Sequence, residues 1–149
     1  MSVSVAPHKI MGKQSFLYFA YGSNLLTDRI RINNPSALAR GVARLSNYKL
    51  EFNSISKKWG GAVATINPDK NEDVWGVLWE LDIIHMATLD KQEGVPKVYN
   101  RKNIEVEMVD GTKVQAITYF MVKPQVEDRR PSMSYHQVSD VRCHYLFLN

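Results

Sequence analysis

The stretch FLYFAYGSNL, Phe16 to Leu25, joins an apolar run to a polar loop. Its first five residues are aromatic or aliphatic, which is typical of a buried strand. The next four, Tyr-Gly-Ser-Asn, include three turn formers, and glycine permits close backbone approaches that other residues do not. The stretch therefore predicts a core strand that ends in a tight polar loop, and this loop is either an ordinary turn or the wall of a site.

The segments around this stretch predict two short helices. The first covers Leu25 to Ile32, whose apolar spacing gives a stripe, and Pro35 should end it because the residue before proline avoids the helical region. The second is IIHMATLDKQ, residues 83–92, which Asp82 is placed to cap and which Gly94 is placed to stop.

The remaining periodic segments predict strands. YKLEF, residues 48–52, alternates apolar and charged residues as a half-buried strand does. In GGAVATI, residues 60–66, Gly60-Gly61 permits a turn or a close backbone approach before another short strand. DVWGVLWEL, residues 73–81, is apolar on both faces like a central strand. Residues 103–122 flank Asp110-Gly111 and predict a β-hairpin. We therefore expect an α+β fold with a mixed, strongly bent sheet or small β-barrel flanked by short helices.

Length and composition predict one domain over residues 1–149, because 149 residues with 44% hydrophobic content enclose one core more readily than two. No apolar run approaches the roughly 20 residues of a membrane helix, and MSVSVAPHKI lacks a signal-peptide pattern. The single cysteine, Cys143, cannot form an internal disulfide. We expect a soluble cytoplasmic protein without membrane contact.

Charge and motif spacing argue against several classes of site. The net charge is +4, but basic residues are scattered, and the pairs Lys57-Lys58 and Arg129-Arg130 stand alone, so nucleic-acid binding is not predicted. The four histidines lack metal-ligand spacing, and no serine has the context of a nucleophile elbow. We therefore predict neither a metal site nor a catalytic triad.

Two local features remain, and each has two interpretations. The YGSN loop, residues 21–24, is an ordinary turn or a binding loop. Glu93, which precedes Gly94 at the end of the second helix, is a solvated glutamate or a functional carboxyl. The residues alone leave both choices open.

An ordered set of motifs resembles the γ-glutamylcyclotransferase family. The resemblance covers about residues 16–138, and a set of this length is more specific than any single tetrapeptide. The motifs are FAYGSNLLTDRI, NPSA, VARLSNYKLEF, GGAVATI, EDVWGVLWEL and LDKQEGV.

The resemblance implies a set of site residues. The YGSN loop of the family lines the substrate pocket, and a glutamate in its EG segment acts as the acid-base catalyst. The substrate-binding loop would here consist of Tyr21, Gly22, Ser23, Asn24 and Leu25, and the catalyst would be Glu93. An aromatic residue after the glutamate and a PSxxY segment would correspond to Tyr99 and Tyr135 as further substrate-binding residues.

The implied reaction is cyclisation of a γ-glutamyl group to 5-oxoproline with release of an amine or amino acid. It needs no cofactor, metal or enzyme nucleophile, and its partner is a small γ-glutamyl substrate; a homodimer is also possible by family resemblance. Members act on γ-glutamyl amino acids, γ-glutamyl-lysine amines or glutathione, and these motifs best resemble the first group. A general base requires partial burial of Glu93, because a solvated carboxyl is too weakly basic.

The tail departs from the family pattern. Where the family continues for several tens of residues, residues 139–149 read SDVRCHYLFLN, which we interpret as a divergent tail after a core of about 16–138. YLFLN is either a substitute edge strand or an exposed apolar end. The alternative function is therefore a non-catalytic ligand-binding or protein-interaction relative of the same fold.

Overall fold

A computed structural model describes residues 14–56 and 61–122. Within these ranges, five strands form a closed barrel and two short helices lie beside it. The strands are β1 (Ser15–Ala20), β2 (Leu38–Ser56), β3 (Gly61–Asp82), β4 (Tyr99–Met108) and β5 (Lys113–Met121), and the helices are α1 (Thr27–Asn33) and α2 (Met86–Glu93). The α+β class and the small barrel expected from the sequence are confirmed.

The strand order around the barrel is β1-β3-β2-β4-β5. Neighbouring strands are antiparallel, except that β1 and β5 close the barrel as a parallel pair at Tyr18 and Ile117. The β1–β3 pairing, Ala20 opposite Val77, ends where the YGSN loop begins. The topology therefore places this loop at one rim, beside the closing strand β5.

The short strand of GGAVATI and the strand 73–81 were predicted as separate strands, and this is wrong because residues 62–66 and 73–81 both belong to β3. The polar residues between them resemble a turn. In the structure they form an exposed irregularity of β3, and the β2–β3 register shifts there between Ser46 and Tyr48. Asn47, which lies opposite on β2, has a left-handed backbone with φ 66°. A bulge of this kind bends a strand without ending it.

Two buried clusters use opposite faces of the same strands. On β1, Tyr18 packs on the helix side of the barrel wall, and Phe19 points to the interior cluster formed by strand residues. On β3, Trp79 and Leu78 alternate in the same way. Leu89 of α2 joins the helix-side cluster. The double-sided hydrophobicity of the predicted central strand thus reflects a wall buried on both faces.

Both predicted helices form, with shifted starts. The first begins at Thr27, and Ile32, which was assigned to its apolar stripe, is 71% exposed. Asn34 leaves the helical region at φ −133° and ψ 70°, as expected before proline. Asp82 caps a 3₁₀ turn, Ile83–His85, by accepting a hydrogen bond from the Ile84 N–H, and α2 follows this turn.

The predicted hairpin is confirmed as β4 and β5. The Met108 N–H donates to the Thr112 carbonyl at 2.8 Å across the turn, and Gly111 has φ 88°. In the strand 48–52, Leu50 is exposed, so the face expected to be apolar is only partly buried. Tyr135 and the tail 139–149 lie outside the described residues. In the described part, no helix has both the length and the hydrophobicity to cross a bilayer.

Candidate active site

The YGSN loop turns inward immediately after β1. Ser23, Asn24 and Leu25 form a 3₁₀ turn, which the Leu25 N–H closes on the Gly22 carbonyl at 3.0 Å. The Trp79 indole N–H donates to the Asn24 carbonyl at 3.0 Å, which ties the turn to β3. Asn24 and Leu25 are buried, while the other three loop residues are partly exposed. The loop thus has an anchored end and an accessible end.

Contacts on both sides of the loop explain its position. The Tyr21 hydroxyl donates to the Tyr119 carbonyl at 2.5 Å and so reaches β5. On β3, Gly76 lets the end of β1 approach, because a Cβ there would lie 2.2 Å from the Ala20 carbonyl oxygen. A residue with a side chain at Gly76 would displace Ala20, the last residue before the loop.

The end of α2 positions Glu93 through a Schellman motif. The Gly94 N–H donates to the Lys91 carbonyl at 3.2 Å, and the Val95 N–H donates to the Asp90 carbonyl at 3.0 Å. Gly94 has φ 69° and ψ 36°, the left-handed conformation that this motif requires. The backbone at Glu93 is therefore fixed by local geometry that the EG sequence predicts.

The Glu93 carboxyl meets the YGSN loop directly. The Asn24 side-chain N–H donates to Glu93 Oε1 at 3.3 Å and also lies 3.3 Å from the Tyr18 hydroxyl. Burial raises the pKa of Glu93 from 4.5 to about 7, and the positive charge of Arg29 on α1 opposes this increase. Glu93 is only partly buried as a whole residue, but its carboxyl group is enclosed by protein, which is the part that decides its pKa.

A second polar group lies next to this carboxyl. The Tyr119 hydroxyl donates to Asp90 Oδ1 at 2.7 Å, and Arg101 pairs with the same oxygen at 3.2 Å. The Tyr119 and Tyr18 rings meet edge to face at 5.7 Å between centroids. Burial, the bond to Asp90 and the charges of Asp90 and Glu93 raise the pKa of Tyr119 above its usual value, so Tyr119 stays a neutral donor.

The structure brings together some of the predicted site residues and not others. Asn24 contacts Glu93, and Tyr21 to Leu25 form one continuous loop beside it. Tyr99 lies at the start of β4, where its hydroxyl donates to the Ala64 carbonyl at 2.5 Å and its ring packs on the helix-side core. This hydroxyl is directed to the backbone of β3.

Sequence reasoning missed four residues of this site, namely Tyr18, Arg29, Asp90 and Tyr119. Two signals were available: Tyr18 lies on the strand directly before the loop, and Asp90 stands three residues before Glu93, on the same side of a helix. Nothing in the sequence links Arg29 or Tyr119 to Glu93, because only the tertiary fold brings α1 and β5 to this point. A separate surface cavity of about 250 Å³ lies beside Glu80 and Asp82, and none of the predicted site residues lines it.

Comparisons with known proteins identify the family of the chain. The model of the family described as γ-glutamyl cyclotransferase, AIG2-like, matches residues 18–137. A γ-glutamylcyclotransferase of Mus musculus is 42% identical over 130 residues, covering 84% of this chain and 68% of the relative. The Homo sapiens γ-glutamylcyclotransferase is 40% identical over 131 residues, covering 85% and 69%.

Solved structures agree as well. A structure named γ-glutamyl cyclotransferase superposes with a TM-score of 0.85 at 36% identity, covering 89% of this chain and 80% of that chain. The range that the family model matches is most of the chain, and it contains the YGSN loop and position 93. The chain therefore belongs to the γ-glutamyl cyclotransferase, AIG2-like family of enzymes.

Proposed function

We propose that the chain is a γ-glutamylcyclotransferase in which Glu93 acts as the general base and acid and the YGSN loop holds the substrate. The observation that carries this proposal is the enclosed Glu93 carboxyl, whose pKa burial raises to about 7, in contact with Asn24 of that loop. A structural glutamate at a helix end needs neither the enclosure nor the loop contact.

The reaction is an intramolecular acyl transfer. The α-amine nitrogen of the γ-glutamyl group forms a bond to its own γ-carbonyl carbon, and the bond from that carbon to the leaving amine breaks. Glu93 takes one proton from the α-ammonium group before attack and returns it to the leaving nitrogen. The ring nitrogen loses its second proton as the lactam forms, and the released amine takes up that proton, so the products are 5-oxoproline and the protonated amine or amino acid. The enzyme supplies no nucleophile and undergoes no net change.

The raised pKa of Glu93 makes the first proton transfer feasible. An ordinary glutamate, with a pKa near 4.3, lies about 3.5 units below an α-amine near 8, which corresponds to about 5 kcal/mol against transfer. With a pKa of about 7 the gap is about 1 unit, or about 1 kcal/mol. Enclosure of the carboxyl thus contributes basicity that a solvent-exposed position does not provide.

The loop supplies orientation. Ring closure requires the amine and the carbonyl carbon of one flexible molecule to be held in near-attack contact. Gly22 and Ser23 are partly exposed beside the buried Asn24, so backbone N–H groups and the Ser23 hydroxyl offer donors for the α-carboxylate or the carbonyl oxygen. The role of the loop would be to fold the substrate back on itself.

The preferred substrates we propose are γ-glutamyl amino acids, which the motifs of the chain favour. The substrate-binding roles of Tyr99 and Tyr135, the homodimer and the cytoplasmic location stay predictions from the sequence.

The experiment is release of 5-oxoproline from γ-glutamyl-alanine, measured by mass spectrometry for the parent and for Glu93→Gln. Gln keeps the shape and an oxygen that accepts from Asn24, but it cannot carry the proton, so we expect turnover to fall by about a thousandfold or more. Glu72→Gln, at an exposed position of β3, removes the same charge away from the site and should keep parental turnover.

Two outcomes would contradict the proposal. Turnover by Glu93→Gln within a few-fold of the parent removes Glu93 from the chemistry. A folded parent that binds γ-glutamyl-alanine and releases no 5-oxoproline is a binding protein of the same fold, which is the alternative considered above.

A further inference from the structure

Three side-chain amides from three different elements form a chain of hydrogen bonds that ends on Glu93. Asn34, at the end of α1, donates to Gln92 Oε1 at 3.2 Å. Gln92, on α2, donates to Asn24 Oδ1 at 3.3 Å, and Asn24 donates to Glu93 Oε1 at 3.3 Å. All three hydrogen bonds run the same way: the nitrogen of each amide donates to the next residue toward Glu93.

The direction of this chain is set at its far end. The Asn34 nitrogen also donates to the Ile30 carbonyl at 3.2 Å, and a carbonyl can only accept. A reversed Asn34 amide would place oxygen against the Ile30 oxygen and against Gln92 Oε1. Asn34 is fully buried, and in the described part of the chain its own Oδ1 has no hydrogen-bond partner. The nitrogen of Asn34 is therefore fixed toward Gln92, and each following amide is oriented by the one before it.

We propose that Asn34 and Gln92 are positioning residues for catalysis, which orient the Asn24 amide so that it presents N–H rather than oxygen to Glu93. The inference rests on the proposed function, because it assumes that Glu93 is the base. It assigns a role to two residues that do not touch the reacting atoms.

The backbone of Asn24 does not need these amides. Its carbonyl is held by the Trp79 indole, and the turn is closed by the bond from Leu25 to Gly22. What Gln92 adds is the orientation of the Asn24 side chain about its last torsion. Loss of Gln92 should therefore leave the loop in place and free the Asn24 amide to turn.

The orientation of Asn24 matters for the charge state of Glu93. An N–H donated to the carboxyl stabilises its ionised, basic form, whereas an amide oxygen in the same place would repel that form and accept from the protonated acid. The other titratable groups around this carboxyl and its neighbours stay unchanged when the amides are altered. They are Arg29 on α1, Tyr18 on β1, Tyr119 on β5 and Asp90 on α2, with Arg101 of β4 on Asp90.

The first test uses Gln92→Met, which keeps the length of the side chain and removes both hydrogen bonds at a partly exposed position. With γ-glutamyl-alanine we expect kcat to fall by about tenfold, KM to change by less than threefold, and the acidic limb of the kcat profile to move to higher pH. Gln115→Met, which removes a hydrogen bond to Glu105 on the β4–β5 hairpin, is the matched control and should behave like the parent.

Asn34→Leu, alone and combined with Gln92→Met, tests whether the amides act as a relay, in which each amide orients the next, or as independent contacts. Breaking the chain at Asn34 should give the same direction of pH shift as breaking it at Gln92, and the double variant should be no slower than Gln92→Met alone. Additive losses in kcat, or folded variants with parental kcat and pH profile, would overturn the proposal and leave the amides a packing role.

A second measurement needs no variant of the relay and covers the case in which Asn34→Leu does not fold. In ¹⁵N spectra of the parent protein, the Asn24 side-chain NH₂ signals should titrate with a midpoint near pH 7, while those of the exposed Asn71 should not. Asn24 signals that do not respond to pH would contradict N–H donation to Glu93. Failure of the proposed function shows separately, as turnover retained by Glu93→Gln.

Discussion

At the scale of a single residue, opposing effects determine the pKa of the Glu93 carboxyl. Enclosure by protein disfavours its charge, while the Asn24 N–H and the charge of Arg29 favour it, and the pKa near 7 shows that enclosure dominates. An enclosed carboxyl that ionises near neutral pH is suited to move a proton in both directions. The same property makes Glu93 unfavourable for stability once it is charged.

We therefore expect stability to depend on pH through Glu93. Because its folded pKa of about 7 lies above the ordinary 4.5, the folded state binds the proton more tightly, and the free energy of unfolding decreases as pH rises from about 4.5 to 7. Glu93→Gln lacks this loss. The variant should exceed the parent in unfolding free energy by up to about 3 kcal/mol at pH 8, with the difference fading toward pH 5, as urea denaturation would measure. A difference that stays constant with pH would contradict the enclosure.

The sequence could indicate which residues flank Glu93 along the chain but not which ones surround it. The loop after a strand and the glutamate before a glycine are local patterns, so both were visible. Arg29 on α1 and Tyr119 on β5 interact with this carboxyl, and Asn34 is linked to it through Gln92 and Asn24. No spacing rule connects residues so far apart. Long-range assembly alone determines the pKa of this carboxyl.

At the scale of elements, the end of α2 couples helix termination to the site. Gly94 has a positive φ, and a Cβ there would lie 3.1 Å from Val98 Cγ2. The capping residue is therefore also the residue that sets the direction of the chain immediately after Glu93. This coupling was predictable, since glycine after a helix is a general stop signal.

We expect Gly94→Ala to reduce activity more than its effect on stability explains. Left-handed backbone costs a residue with a Cβ about 1 kcal/mol, and relief of that strain would shift Glu93. Gly111→Ala is the matched control, because Gly111 also has a positive φ but no atom within 4 Å of its Cβ position. Thermal melts and kcat on γ-glutamyl-alanine compare the two. Equal activity at equal stability loss would show that Gly94 only stops the helix.

The strands show where element prediction fails. The hairpin of β4 and β5 follows from alternation and Asp-Gly, but the polar segment inside β3 imitates a loop. Cross-strand pairing with β2 on both sides of that segment keeps it in one strand, and pairing is not visible in a window of residues. Local turn propensity was outweighed by the register of the partner strand.

At the scale of the whole molecule, the barrel is closed by side chains as much as by backbone. The β1–β5 pairing is parallel and is registered at Tyr18 and Ile117 alone. Around it, the Thr118 hydroxyl donates to the Phe19 carbonyl at 2.9 Å, and the Met121 N–H donates to the Thr65 hydroxyl at 2.8 Å. Sequence alternation predicts a bent sheet, but these individual contacts across the closure depend on the final register.

Thr118→Val tests this closure. Valine keeps the shape, but the buried Phe19 carbonyl would lose its donor, which should lower the unfolding free energy by about 1–3 kcal/mol. A weaker β1–β5 pairing, here called the seam, should also lower kcat on γ-glutamyl-alanine, because Tyr21 is joined to β5 through the Tyr119 carbonyl. Hydrogen exchange of the β1 amides should become faster, and by more than that of the β4–β5 hairpin amides. Thr88→Val, on α2, removes a hydroxyl away from the seam and is the control. Parental stability and exchange in Thr118→Val would mean that strand pairing alone closes the barrel, and the loop would then owe its position to β3.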